Sequence, residues 1–383
     1  MSRRFLGPLL GLLLVSANAG AAPAALPAPE ATSDGWPVAD PARLGWDTAK
    51  LEEIAARIAA RDLKGVTSVL VADHGRLVYE HYFNGGARDT LNDMRSATKT
   101  LTAVLVGAAI DRGRIPDVSA RVYPYFRDLA PLRNADPRKD AFTLEDLLTM
   151  SSLWECDDEN PFSSGNEERM YVTEHWLRFA LELPIKGFAP WMAKPADSPY
   201  GRAFSYCTAA SFVAGAVVER ATRQPLDAFA AQVLEKPLGI ARSQWSRSPD
   251  GVAMGGGGAR YSSRDIARIG AMLADGGRWQ GKPVISQRWV EAMLTPRAQA
   301  RDDADYGYQI WRFRYAQDGR EQAVWAMSGN GGNYVFVLPE RGLVAVVTSR
   351  AYNQRDSHPQ SQALFRELIL AAAPAAAQVP APR

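Results

Sequence analysis

Ser96-Ala97-Thr98-Lys99-Thr100-Leu101-Thr102-Ala103-Val104-Leu105-Val106-Gly107-Ala108-Ala109-Ile110 decides how the rest of the chain is read. Leu101, Val104, Leu105, Val106 and Ala109 make it apolar nearly all round, which predicts a helix buried inside a sizeable protein. Gly113 suits its C-terminal stop. A Lys in the first turns of such a helix needs a partner, because burying an uncompensated cation is costly. Ser96 and Lys99 are three residues apart, so hydroxyl and amine share one helical face and can share a proton. A hydroxyl becomes a nucleophile when a base removes its proton, and an amine serves as that base only in its neutral form. The helix N-terminus also aims backbone N–H groups outward, where they can hold a developing oxyanion. A capping Ser beside a surface Lys would give the same spacing, so the motif needs support from elsewhere.

Upstream, Thr48 to Ala60 has helical spacing through Leu51, Ile54, Ala55 and Ile58. Thr67 to Ala72 and Leu77 to Phe83 read as strands joined by Asp73-His74-Gly75-Arg76, an antiparallel hairpin with a Gly turn. Downstream the character changes. From Pro116 to about Pro249 there are short helical patterns (Leu144 to Met150, Glu174 to Leu181, Ala209 to Ala221) between Pro-, Gly- and Asp-rich connectors, without convincing strands. Strand signals return at Tyr306 to Tyr315 and Glu321 to Met327, flanking Asp318-Gly319. They continue at Tyr334 to Leu338 and Leu343 to Ser349, flanking Pro339-Glu340-Arg341-Gly342. A last helix, Gln360 to Ala372, precedes an Ala/Pro tail. Strands at both ends of one chain predict a single antiparallel sheet flanked by helices, with a helical lobe inserted and a cleft between the two. The expected divisions are a leader over 23–36, a mixed α/β lobe built from 37–113 and 250–373, a helical lobe over 114–249, and a disordered tail over 374–383.

The whole chain of 383 residues is 46% hydrophobic and 22% charged, with a formal net charge of +2. Its first 22 residues read as an export signal: Ser2-Arg3-Arg4, then the apolar Leu9-Leu10-Gly11-Leu12-Leu13-Leu14-Val15, then Ala17-Asn18-Ala19 as a cleavage pattern. The apolar run is too short to span hydrocarbon, so stable membrane insertion is not expected. Removing Arg3 and Arg4 leaves the mature chain formally neutral, and no basic run or helix face offers a surface for nucleic acid or anionic lipid. The expected location is the periplasm or the outside of the cell. There Cys156 and Cys207 are expected to pair as a disulfide, with two buried free thiols as the alternative.

Several chemistries drop out. The four His residues (His74, His81, His175, His358) are neither spaced as HExxH nor set beside clustered carboxylates, so no metal and no cofactor is expected. There is no G-x-S-x-G. Gly276 to Lys282 imitates a phosphate loop but places Pro283 where Ser or Thr must hold magnesium, and Gly255 to Gly258 lacks the third glycine of a dinucleotide fingerprint.

Two further stretches support the Ser–Lys pair. Tyr206-Cys207-Thr208 enters the predicted helix Ala209 to Ala221, and a Tyr there can project its phenol into the cleft and relay protons. Ser328-Gly329-Asn330-Gly331-Gly332-Asn333 leads into the strand Tyr334 to Leu338, and glycines at a strand start allow a ligand close to the backbone. The N–H of Asn333 is then a natural second oxyanion donor beside that of Ser96.

This order of S-x-x-K on a buried helix, Tyr at a helix start, and a Gly-rich strand edge resembles the serine β-lactamase and penicillin-binding-protein superfamily. Phe142 to Met150 and Gly255 through Gly281 resemble its flanking phrases, and Gly165-Asn166-Glu167-Glu168-Arg169-Met170 resembles its 6-aminohexanoate-dimer hydrolase branch. The likeness runs from about Trp36 to Leu370, nearest to class C β-lactamases and β-lactamase-like esterases. It implies Ser96 as nucleophile, Lys99 and Tyr206 as coupled base and acid, and the N–H groups of Ser96 and Asn333 as oxyanion hole. Two departures bear on substrate. Asn330-Gly331-Gly332 stands where Lys-Thr-Gly is usual, which removes a charge, and Thr208 stands where Asn is usual. With Thr208, Asn330, Gly331 and Gly332 read as substrate-binding, the expected substrate is a small ester or non-peptide amide. A β-lactamase or D,D-peptidase, and a non-hydrolytic binder, are the other readings.

Overall fold

In the computed structural model of the chain, residues 26–192, 194–317 and 320–375 are described. The export signal, residues 23–25 of the leader, the Asp318-Gly319 turn and residues 376–383 of the tail lie outside them. No helix among the described residues is long and apolar enough to cross a membrane.

One antiparallel sheet carries the molecule. Its strands are β1 (Val66–Asp73), β2 (Arg76–Tyr82), β3 (Ala298–Arg301), β4 (Ala304–Tyr306), β5 (Trp311–Gln317), β6 (Arg320–Gly329), β7 (Asn333–Leu338) and β8 (Leu343–Ser349), ordered β2-β1-β8-β7-β6-β5-β4-β3. The two ends of the chain meet where β1 pairs with β8, Val69 opposite Val347 and Leu70 opposite Val346. That is the single sheet predicted from the hairpins. Every residue of β1, β7 and β8 is buried, because helices cover both faces.

Side-chain alternation shows which helix covers which face. A Cβ added at Gly270 of α4 (Ser263–Ala274) would lie 2.7 Å from Val335 and 2.8 Å from Val344, so α4 presses directly on that face. Phe336, one residue along from Val335, points the other way and stacks on Phe365 with ring centroids 4.1 Å apart. Phe365 belongs to the C-terminal helix α5 (Ser357–Ala363), which continues in wider π-type turns over Leu364–Leu370. Beside it packs α1 (Thr48–Ala59), started by the Asp47 carboxylate on the N–H groups of Ala49 and Lys50 and buried along Leu51, Ile54 and Ile58.

Two readings of the sequence are corrected, and one helix is added to them. Tyr306 to Tyr315 is two strands, because Gly307 to Ile310 turns inward: a Cβ on Gly307 would lie 2.1 Å from Met293 O, and Gln309 has φ +56° with its side chain buried. Gln309 Nε2 donates to Leu147 O (2.8 Å) and its Oε1 accepts from Ser211 Oγ (2.6 Å), which ties the sheet to the helical lobe. Residues 30–36 of the expected flexible leader lie against the body. Trp36 is buried on Trp279, and Glu30, Thr32 and Asp34 accept hydrogen bonds from the buried Arg264, a cation that needs acceptors. Finally, helix α4 goes unread in the sequence, although Ser262 caps it by accepting from Asp265 N–H at 3.1 Å.

Candidate active site

Ser96 sits in a single 3₁₀ turn, Arg95–Ala97, that feeds α2 (Thr98–Asp111); the helix proper begins two residues later than its sequence suggests. Arg95 has φ +49°, a left-handed conformation costing an L-residue roughly 1–2 kcal/mol. This elbow leaves Ser96 half-buried while Ala97 to Ala109 pass into the core.

Lys99, 1% exposed, is among the largest fully buried side chains. Its Nζ donates to Ser96 Oγ (3.0 Å), to Thr208 Oγ1 (2.9 Å) and to Gly256 O (2.7 Å). The partner that burial demands is thus three uncharged oxygens. A carbonyl can only accept, so Gly256 fixes one N–H of the amine.

The Thr208 partner belongs to α3 (Thr208–Thr222), which packs across α2. A glycine loop lies against both helices at that crossing. A Cβ on Gly256 would lie 2.8 Å from both Thr208 Cγ2 and Thr208 O, and one on Gly255 would lie 2.9 Å from Thr102 Oγ1. The run dismissed as a failed dinucleotide fingerprint therefore packs beside the lysine. Its signal was available: four consecutive glycines imply some backbone in close contact.

Tyr206 is half-buried, with its ring centroid 4.9 Å from Lys99 Nζ. The ring stacks on Trp311 (5.7 Å) and meets Phe204 and Tyr306 at 6.4 and 6.5 Å, an aromatic wall supplied by the sheet and by the loop before α3. A disulfide joins Cys156 to Cys207, so the Tyr206–Thr208 segment is bonded to the loop at 156–166. That loop brings in Asp158, which sequence reasoning missed. Its carboxylate accepts from Thr208 N–H (2.6 Å) and Glu167 N–H (3.0 Å) and lies beside the Thr208 side chain. Burial, reinforced by Glu167, pushes the Asp158 carboxyl up to about 6, against the opposing pull of Lys99 and Thr208. An isolated Asp in a Pro- and Asp-rich connector carries no periodicity to reveal it.

The other expected residues fall differently. Thr208, read as substrate-binding, is fully buried and is a partner of Lys99. Asn333 is fully buried opposite Gly329 in the ladder, donating through Nδ2 to Asn330 O (2.9 Å) and Ser349 O (3.0 Å) and accepting from Ser349 N–H (3.0 Å). Gly331 packs on Tyr352, and Gly332 on Ser357 and Ser361. The residue of this run that meets the Ser96 turn is Gly329, where a Cβ would lie 2.1 Å from Met94 O and 3.2 Å from Arg95 Cβ. Asn330 follows it, with Nδ2 donating to Asn353 Oδ1 (2.6 Å) and Oδ1 accepting from Asn353 N–H (2.9 Å). The register expected for the edge is therefore displaced: the strand end at Gly329, rather than Gly331 to Asn333, borders the Ser96 turn.

The half-buried Ser96, the buried Lys99 and the Tyr206 ring thus lie together where the antiparallel sheet meets the helices. A family profile for beta-lactamases matches residues 51–369. The chain belongs to the beta-lactamase family. Among its relatives, a 6-aminohexanoate-dimer hydrolase of Paenarthrobacter ureafaciens is 26% identical over 260 residues, 67% of this chain and 64% of that one. Esterase EstB of Burkholderia gladioli is 30% identical over 226 residues, 52% of this chain and 53% of the esterase. The chain thus spans less than two thirds of the length of both curated relatives. A penicillin-binding-protein homologue from Caulobacter crescentus shares the fold, with a TM-score of 0.62 at 17% identity over 85% of this chain and 97% of that one.

Proposed function

We propose that this beta-lactamase-family chain is a serine hydrolase, exported from the cytoplasm, that cleaves a small ester or non-peptide amide through an acyl-enzyme on Ser96. The observation that carries the reading is the Lys99 environment. In its neutral form the amine has two N–H groups and one lone pair. Gly256 O and Thr208 Oγ1 accept the two hydrogens, and the lone pair faces Ser96 Oγ at 3.0 Å. Transfer of the Ser96 proton to Nζ frees Oγ to attack the substrate carbonyl carbon, and the carbonyl oxygen takes the negative charge as the tetrahedral centre forms. Backbone N–H at the Ser96 turn and along the strand end at Gly329 and Asn330 are the groups best placed to hold that oxyanion. The leaving group departs with a proton returned through Lys99 and Tyr206. Water then attacks the acyl-enzyme by the same route in reverse and regenerates Ser96.

The substrate class follows from what the site lacks. Thr208 is committed to Lys99 and Asp158, and the Asn330 side chain to Asn353, so neither is free to grip the carboxylate or amide of a β-lactam. Kinetics on p-nitrophenyl esters beside nitrocefin test this reading. Ser96→Ala is expected to abolish ester turnover while wild type processes esters far faster than nitrocefin. Undiminished turnover by the variant would end the proposal, and nitrocefin as the better substrate would make the chain a β-lactamase.

A further inference from the structure

Asp158 lies where three elements meet, and the chemistry above leaves it without a task. Its backbone N–H donates to Tyr206 O at 2.9 Å, and its carboxylate holds the backbone N–H of Thr208, the first residue of α3, at 2.6 Å, which sets it beside the Thr208 hydroxyl. The charged and titratable groups facing it are Lys99 from α2 and, from the helix Glu167–Tyr171, Glu167 and Tyr171, whose hydroxyl donates to Glu167 Oε2 at 2.9 Å. The disulfide sets its place: Cys156 is two residues before Asp158 and Cys207 one residue before Thr208.

We propose that Asp158 is a positioning residue for acylation, acting through the Thr208 hydroxyl to keep the Lys99 lone pair turned toward Ser96. The inference rests on the Ser96–Lys99 reading above. It follows from counting hydrogens. A hydroxyl has one. While Asp158 is ionised, the Thr208 hydrogen goes to the carboxylate, and Thr208 Oγ1 can only accept from Lys99. Gly256 O takes the second N–H, so the lone pair is left for the Ser96 hydroxyl. When Asp158 is protonated, its own O–H donates to Thr208 Oγ1. The Thr208 hydrogen is then released toward Lys99, where it competes with Ser96 for the lone pair. The ionised carboxylate also offsets the positive charge that appears on Nζ as the Ser96 proton arrives. The switch between the two directions of the chain lies near pH 6, where burial has moved this carboxyl.

A carboxylate that merely capped the first turns of two helices would affect folding and leave the pH profile in place. The experiment is therefore kcat/KM for p-nitrophenyl acetate against pH, which reports ionisations of the free enzyme. It is run on wild type, Asp158→Asn, Asp158→Glu, Thr208→Val and Thr208→Ser, with melting temperatures recorded for each. Wild type is expected to lose activity below a limb near pH 6. Asp158→Asn should fall by about tenfold or more at neutral pH and lose that limb, and Asp158→Glu should restore a limb. Thr208→Val should behave like Asp158→Asn, and Thr208→Ser like wild type. The two Thr208 variants decide the matter if Asp158→Asn does not fold. An unchanged limb in Asp158→Asn, or in Thr208→Val, overturns the proposal. Turnover retained by Ser96→Ala instead sinks the nucleophile reading, whatever Asp158 does.

Discussion

Two of the buried cations, Lys99 at 1% exposure and Arg264 at 3%, are held in opposite ways. Arg264 is met by carboxylates: Nε and Nη2 donate to the two oxygens of Glu80 at 2.8 and 2.7 Å, and Nη1 donates to Asp34 Oδ2 at 2.7 Å. Burial alone would raise the Glu80 carboxyl, but these hydrogen bonds outweigh it and hold Glu80 below the ordinary carboxylate range. Lys99 touches no carboxylate. The Asp158 carboxylate interacts with it at longer range and, on the inference above, acts through the Thr208 hydroxyl. A guanidinium cannot give up its proton and suits a permanent lock, whereas an amine surrounded by neutral oxygens can exchange one. The first pairing fastens the segment at Glu30–Asp34 to β2 and α4. The second, on the proposed reading, prepares a reaction.

That contrast can be broken at each end. The largest effect is expected from Lys99→Ala, which should cut ester turnover by on the order of 10³-fold or more while the melting temperature stays within a few degrees. Kinetics and calorimetry on one preparation check it. Arg264→Ala should do the reverse, destabilising by about 3 kcal/mol because the buried Glu80 loses both guanidinium bonds and keeps only Arg88 and Tyr82, with KM unchanged in the surviving folded fraction. Its effect has a pH sign. Arg264 and Thr32 hold Asp34 at about 2 against the opposing push of burial, so the stability from Asp34 is present above the ordinary Asp value and lost as pH falls toward about 2. Asp158 runs the other way: its raised carboxyl favours the protonated fold, so that contribution fades as pH rises through about 6. Chemical denaturation from acid to neutral pH should show both limbs, with only the acid one lost in Arg264→Ala.

Between the extremes lies the disulfide. Replacing Cys156 and Cys207 by Ala should cost about 2–4 kcal/mol, because the bond closes a loop of 51 residues' separation. It should also lower kcat, since Asp158 and Tyr206 flank the two cysteines; comparing oxidised and substituted protein reads both. The smallest effect is expected from Gly256→Ala, about 1–3 kcal/mol from a methyl forced against Thr208, with kcat falling more than KM changes.

Much of this was legible because it is local. Helical spacing put Ser96 and Lys99 on one face, and the hairpins around Gly75 and Gly342 announced strands of one sheet. The positions that failed depend on contacts distant in sequence. Gly256 matters because its loop packs on Thr208 and accepts from Lys99, and Asp158 because a disulfide carries it to Thr208. A Gly-rich run signals close backbone approach without naming the glycine concerned, so Gly331 to Asn333 were read where Gly329 meets the Ser96 turn. Gln309 ends a strand that its neighbours' β propensity would have continued, because its amide is needed between Ser211 and Leu147.

The central claim is a covalent bond at Ser96. Acid-quenching the enzyme during p-nitrophenyl acetate turnover and mapping the acylated peptide by mass spectrometry tests it most directly. A single acetyl group on Ser96, absent from Ser96→Ala and scarce in Lys99→Ala, is the predicted result. Acylation on another residue, or turnover persisting in Ser96→Ala with no adduct, would contradict it.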